Sequence, residues 1–179
     1  MRDFLGLIIK VITSDIFIGY GLFTLIYLLI SLIKRNILRI ERLDLAANRF
    51  IGFVGVIYFL CVMTSISISM MTADDYQIRW EPLVQVFLWT IITQLLWIEK
   101  LRKKKLIRLI FSVFLIISFE IFVIVITSLH RDYSSGGLFS GLSAADIIIG
   151  LSSKTLVFCI LAIIYSWLTD KLKELKKKA

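Results

Sequence analysis

The chain has 179 residues, of which 59% are hydrophobic, with a mean hydropathy of +0.90 and a formal net charge of +8. Soluble domains carry about 45–50% apolar residues, so this composition excludes one; a single proline and nine glycines also exclude collagenous, disordered and β-rich secreted chains. One histidine and two cysteines are too few for a bis-histidine haem, a four-cysteine iron–sulfur cluster or a mixed zinc site within the chain.

A helix that crosses a bilayer needs about 20 mostly apolar residues. That length predicts an all-α integral membrane bundle of five spans at residues 15–33, 50–71, 83–98, 106–129 and 146–168. Residues 1–13 read as an interfacial amphipathic segment, because Phe4, Leu7, Ile8, Val11 and Ile12 recur at helical spacing among Arg2, Asp3 and Lys10. A frayed start to the first span is the alternative. The amino end lacks the small-residue cleavage site of a signal peptide, so it is expected to stay in the mature protein. Cys61 and Cys159 fall inside apolar runs and read as packing residues. The third span is the shortest, opening after Pro82 and closing at Glu99 and Lys100. Residues 170–179 form a basic tail.

Cytoplasmic loops retain Lys and Arg. Five lie between spans one and two (Lys34, Arg35, Arg39, Arg42, Arg49) and six around the start of span four (Lys100, Arg102, Lys103, Lys104, Lys105, Arg108). Five more follow span five (Lys171, Lys173, Lys176, Lys177, Lys178), whereas the opposite side has only Arg2, Lys10, Arg79 and Arg131. The amino end is therefore expected outside and the carboxyl end inside. Trp80, Trp97 and Trp167 fall near span ends, where aromatic rings prefer the interface. The basic clusters read as topology signals and contacts to membrane lipids, not as a nucleic-acid site.

Glu120 lies roughly 15 Å below the outer end of span four, and Lys154 roughly 12 Å below the same face in span five, at the helical rise per residue. Each charge alone would be costly in lipid, so the two are expected to face one another. Thr24, Ser65 and Gln94 fall at comparable predicted depth, which suggests one polar layer. Two readings are open: a proton or ion path, or interhelical hydrogen bonds around a structural ion pair. His130, Arg131 and Asp132 end span four beside Ser134-Ser135-Gly136-Gly137. Histidine there suits either a solvated helix end or a proton-exchanging mouth.

The segment Gln94-Leu95-Leu96-Trp97, a basic loop, and then Phe119-Glu120-x-Phe122-Val123-Ile124-x-x-Thr127-Ser128-Leu129-His130-Arg131-Asp132 resembles the carboxyl half of the NrfD/polysulfide-reductase membrane-subunit family. Within that family it is most similar to the quinol-oxidising membrane subunits of bacterial alternative complex III. Upstream, Arg42-Leu43-Asp44 with Ala46-Ala47, and downstream Asp146, resemble the family's helix openings. The resemblance covers residues 14–168 and is most specific from Gln94 to Asp132. It implies a bacterial inner-membrane, multi-pass subunit of a quinone-linked respiratory complex. Quinone and iron–sulfur clusters would sit on partner subunits, no cofactor would be bound by this chain, and a proton path would use Glu120, Lys154 and His130. The family's first bundle, associated with the quinol site, has no counterpart here, so catalysis by this chain alone is not expected.

The chain departs from the family pattern at Ile121 for an arginine, Ser118 for a tryptophan, Thr93 for a proline and Arg42 for a histidine. These departures keep open a structural or assembly protein without redox activity. A small channel or transporter is the third reading, although no inverted repeat or glycine-broken helix accompanies it. Losing the arginine beside Glu120 makes Lys154 the natural compensating cation. Lys154→Ala is accordingly expected to destabilise the protein or leave Glu120 protonated; an unaltered Glu120 titration, followed by infrared carboxyl absorbance, would refute that pairing.

Overall fold

The computed structural model describes residues 2–33, 38–72, 80–117 and 144–178. All secondary structure among them is helical: α1 (Arg2–Val11), a π-helical segment (Ile12–Phe17), α2 (Ile18–Ile33), α3 (Leu38–Thr72), α4 (Trp80–Leu95), α5 (Glu99–Arg102), α6 (Lys105–Ile116) and α7 (Ala144–Lys178). Asp3–Ile33, Leu43–Met71 and Ile148–Lys171 are long and apolar enough to cross a bilayer, and Leu83–Leu95 is a shorter apolar helix. This is an all-α membrane protein. The second half of the segment expected as the fourth span, from residue 118 on, lies outside the described residues.

Which residues point inward explains why lipid is the solvent. On α6, Arg108, Ser112 and Leu115 are buried, while Leu106, Leu109, Ile110, Val113 and Phe114 are exposed. On α7 only 11% of the apolar stretch is buried, around Phe158 and Ala162, and Ile148, Ile149, Leu156, Ile160, Ile163 and Leu168 face outward. In water these faces would be a large unfavourable exposure; in hydrocarbon they cost nothing, and the polar residues are the ones that must be hidden.

Side-chain contacts fix the direction of each helix relative to its neighbours. Tyr20 meets Asn48, and Ser14 shares a cavity wall with Ser65, so the amino-terminal helix and α3 run antiparallel. Phe59 meets Phe87 while Gly52 meets Trp97, so α4 reverses α3. Gly21 lies against Ser112 and Tyr27 against Arg108, so α6 reverses α2. The last helix, α7, runs parallel to α2, with Lys154 level with Asp15 and Phe158 against Phe23. At the centre, Phe17 packs edge-on against both Tyr58 and Trp89, with ring centroids 5.3 Å apart in each case. Trp89 Nε1 also donates to Phe114 O at 2.9 Å, joining α4 to α6.

The α3–α4 contact is close because two glycines leave room for it. A Cβ built at Gly55 would strike the Thr93 side chain, and one at Gly52 would strike the Trp97 indole. At Gly150 on α7, by contrast, a Cβ would meet nothing within 4 Å. Gly55→Ala is therefore expected to destabilise the bundle by about 1–3 kcal/mol through overpacking. Gly150→Ala should stabilise it by up to about 1 kcal/mol through helix propensity. Denaturation of the detergent-solubilised protein measures both, and a shift of the same sign for the two would refute the assigned α3–α4 contact.

Candidate functional site

Two polar centres interrupt the apolar bundle. The first joins α2, α3 and α6. Arg108, in the first turn of α6, reaches Asp44 in the second turn of α3: Nη1 donates to Oδ2 at 3.0 Å and Nη2 to Oδ1 at 2.5 Å. The two residues are 4% and 7% exposed, so this two-point ion pair is inside the protein. Asn48, one turn along α3, donates Nδ2 to Asp44 O at 2.6 Å and accepts from Tyr20 Oη at 2.8 Å. Ser112 Oγ donates back to Arg108 O at 2.8 Å, and the guanidinium carbon lies 4.8 Å from the centre of the Tyr27 ring.

Desolvating two charges costs several kcal/mol for each ion, and a bidentate guanidinium–carboxylate contact is the geometry best able to offset that cost. The row from Tyr20 through Asn48 and Asp44 to Arg108 satisfies nearly all of its donors and acceptors internally. Such a row holds three helices in one register and leaves no free base. Thr24, one turn from Tyr20, is fully buried, and its Oγ1 has no hydrogen-bond partner among the described residues. Other helix hydroxyls, such as Thr90 and Thr155, donate to the carbonyl four residues back.

The second centre lies where the amino-terminal helix widens into a π turn. There the Ile18 N–H bonds Asp15 O. Ser14 O, which an unbroken α-helix would give to Ile18, instead accepts from Lys154 Nζ at 2.9 Å. The same ammonium lies 3.6 Å from Asp15 Oδ1, in a half-exposed ion pair. Ser14 also lines a cavity of about 470 Å³ with Thr13, Ser65, Gln85 and Tyr58.

Of the residues expected to form a site, Lys154 thus meets Asp15 and Ser14 among the described residues. Glu120, His130, Arg131 and Asp132, and with them any contact between Glu120 and Lys154, lie outside the described residues. The expected polar layer is divided in height. Gln94 Nε2 donates to Gly52 O at 2.9 Å, whereas Ser65, thirteen residues further along α3, lines the cavity near Ser14. At helical rise that separation is about 20 Å. Thr24 belongs with the Asp44–Arg108 end, and Ser65 with the Lys154 end. No three His, Cys, Asp or Glu side chains gather to hold a metal among the described residues.

Sequence reasoning misses the first centre, because it counts Arg108 only among the basic charges around the start of span four and gives Asp44 a place only in a motif comparison. The available signal is on α6 itself, where Arg108, Ser112 and Leu115 share one helical face. Removing one member of the pair strands the other: Asp44→Ala is expected to cost about 3–5 kcal/mol, and the double change Asp44→Leu/Arg108→Met much less than the sum of the singles. A double-mutant cycle by denaturation in detergent measures this coupling, and additive effects would refute it.

Compared with known protein families, curated proteins and solved structures, the chain matches none.

Proposed function

We propose that the chain is a membrane-embedded subunit of a quinone-linked respiratory electron-transfer complex in the bacterial inner membrane, corresponding to the carboxyl half of an NrfD-like subunit. It has five spans, with the amino end outside and the carboxyl end inside. Electrons pass through partner subunits that carry the iron–sulfur clusters and quinone. The chain's own part is to help conduct or tune protons through Glu120, Lys154 and His130. It is not catalytic alone.

One observation carries this reading: the Gln94–Trp97 segment of the family resemblance is hydrogen-bonded to the helix that carries a second segment of it. Gln94 donates to Gly52 O, and Trp97 Nε1 donates to Arg49 O at 3.3 Å. The Gln94–Trp97 turn is thereby seated on the helix that contains Arg42-Leu43-Asp44 and Ala46-Ala47. The long apolar exposure of α7 also suits burial against a partner bundle as well as lipid.

A second reading, a structural or assembly protein without redox activity, is favoured by the Asp44–Arg108 pair, whose four terminal atoms are all committed to each other. Purification of the tagged chain from native membranes in mild detergent, with mass spectrometry of what accompanies it, tests the first reading. An iron–sulfur subunit and a separate membrane bundle should co-purify; the chain alone, or with unrelated proteins, would overturn it. Glu120→Gln then separates the two roles, since loss of proton-coupled quinol oxidation at unchanged abundance supports the path and loss of abundance alone supports the scaffold.

A further inference from the structure

The ends of α2 and α3 and the turn from α5 into α6 enclose a cavity of about 370 Å³ that neither functional reading uses. Arg102, Lys103, Lys105 and Arg108 line it, together with Glu41, Asp44 and Tyr27. Asp44 is already taken by Arg108, so three cations face a single remaining carboxylate, Glu41. Lys103 also reaches Glu99 at 2.6 Å, and its hydrogen bond holds the Glu99 carboxyl below the usual range. That pair is mostly solvent-exposed and binds its lysine weakly.

The backbone adds to the positive charge. Lys104 enters α6 in extended conformation and makes no side-chain capping bond. The first-turn N–H groups of a helix have no intrahelical acceptor, and the positive end of the helix dipole repels cations such as Lys104 and Lys105. Proteins usually place an acid at this position; this one places lysines. Arg108, 4% exposed and part of the same cavity wall, has an Nε with no hydrogen-bond partner among the described residues. Positive charge is therefore in excess in this cavity.

Its height in the bilayer says where a neutralising anion would come from. The apolar stretch of the first span ends at Ile33 and that of the second begins at Leu43. The cavity spans Tyr27 and Leu28 to Glu41 and Leu45, at this boundary, with apolar walls on one side and lysines on the other. That is the composition of a site for a headgroup whose acyl chains remain in the bilayer.

We propose that this cavity binds the phosphodiester headgroup of an anionic phospholipid, with Arg102, Lys103 and Lys105 and the start of α6 as its ligands. The test titrates the detergent-purified chain with short-chain phosphatidylglycerol, short-chain phosphatidylcholine and inorganic phosphate, reading thermal unfolding. Phosphatidylglycerol should raise the melting temperature and phosphatidylcholine should not. Arg102→Gln/Lys105→Gln should weaken the apparent affinity by about 25-fold, roughly fivefold per cation. Both side chains lie outside the buried core, so the variant is expected to fold. Lys10→Gln, seventeen residues before Tyr27 along the amino-terminal helix and so roughly 25 Å from the cavity at helical rise, should bind as the parent does. Equal stabilisation by inorganic phosphate would reassign the site to a soluble phosphate and overturn the lipid assignment. No shift with either anion, or an unchanged shift in Arg102→Gln/Lys105→Gln, would overturn the site itself.

Discussion

A guanidinium in a hydrocarbon-facing bundle must find a carboxylate, and the carboxylate must come from another helix. Arg108 and Asp44, 64 residues apart, satisfy that demand, and much of the packing at their end of the molecule depends on it. Bringing α6 to α3 at this point sets Ser112 against α2 beside Gly21, places Tyr27 over the guanidinium, and brings Tyr20 within reach of Asn48. Dispersion between apolar helices barely distinguishes one rotation from another in lipid, because the tails are as apolar as the side chains. A two-point ion pair with a fixed fork geometry does distinguish them. Specificity of helix register, more than net stability, is what such a pair supplies here.

The helices themselves are legible from residue type and run length. Leu83–Leu95 is a short apolar helix between Pro82 and Glu99, and α7 covers the residues of the expected last span. Partnership is less legible. Arg108 stands in a run of lysines and leucines whose charge suggests a loop, and only its spacing to Ser112 and Leu115 marks it as inward. Asp15 reads as the boundary of a span, because a sequence does not announce a π turn, and it is at this turn that Ser14 O accepts from Lys154. Counting depth from span ends groups Thr24, Ser65 and Gln94 together. Actual contacts separate them, since the boundaries used for counting are themselves uncertain by a turn or more.

The two polar centres lie toward opposite ends of the apolar region and differ in kind. Around Asp44 and Arg108 the charged groups are buried and paired with each other, beside a cavity rimmed by basic side chains. Around Lys154 and Asp15 both side chains remain partly exposed and adjoin a cavity. Rigid and adaptable ends of one bundle are what a subunit needs if it is to be anchored on one side and respond to charge on the other. In the proposed respiratory setting, the Lys154 end would be the responsive one.

The π segment between α1 and α2 bears on the rotational phase of the amino-terminal rod. Each residue of an α-helix advances the side-chain direction by about 100°, so Ile8 and Tyr20 would stand about 120° apart on an uninterrupted helix. Widening the helix over Ile12–Phe17 makes each residue turn less and resets the angle between α1 and α2. Ile8 and Tyr20 both pack into the same core as a result. The segment works as a phase adjuster, letting one continuous rod present two differently oriented faces to the same bundle. A chain shortened by one residue there would have to choose which face to keep.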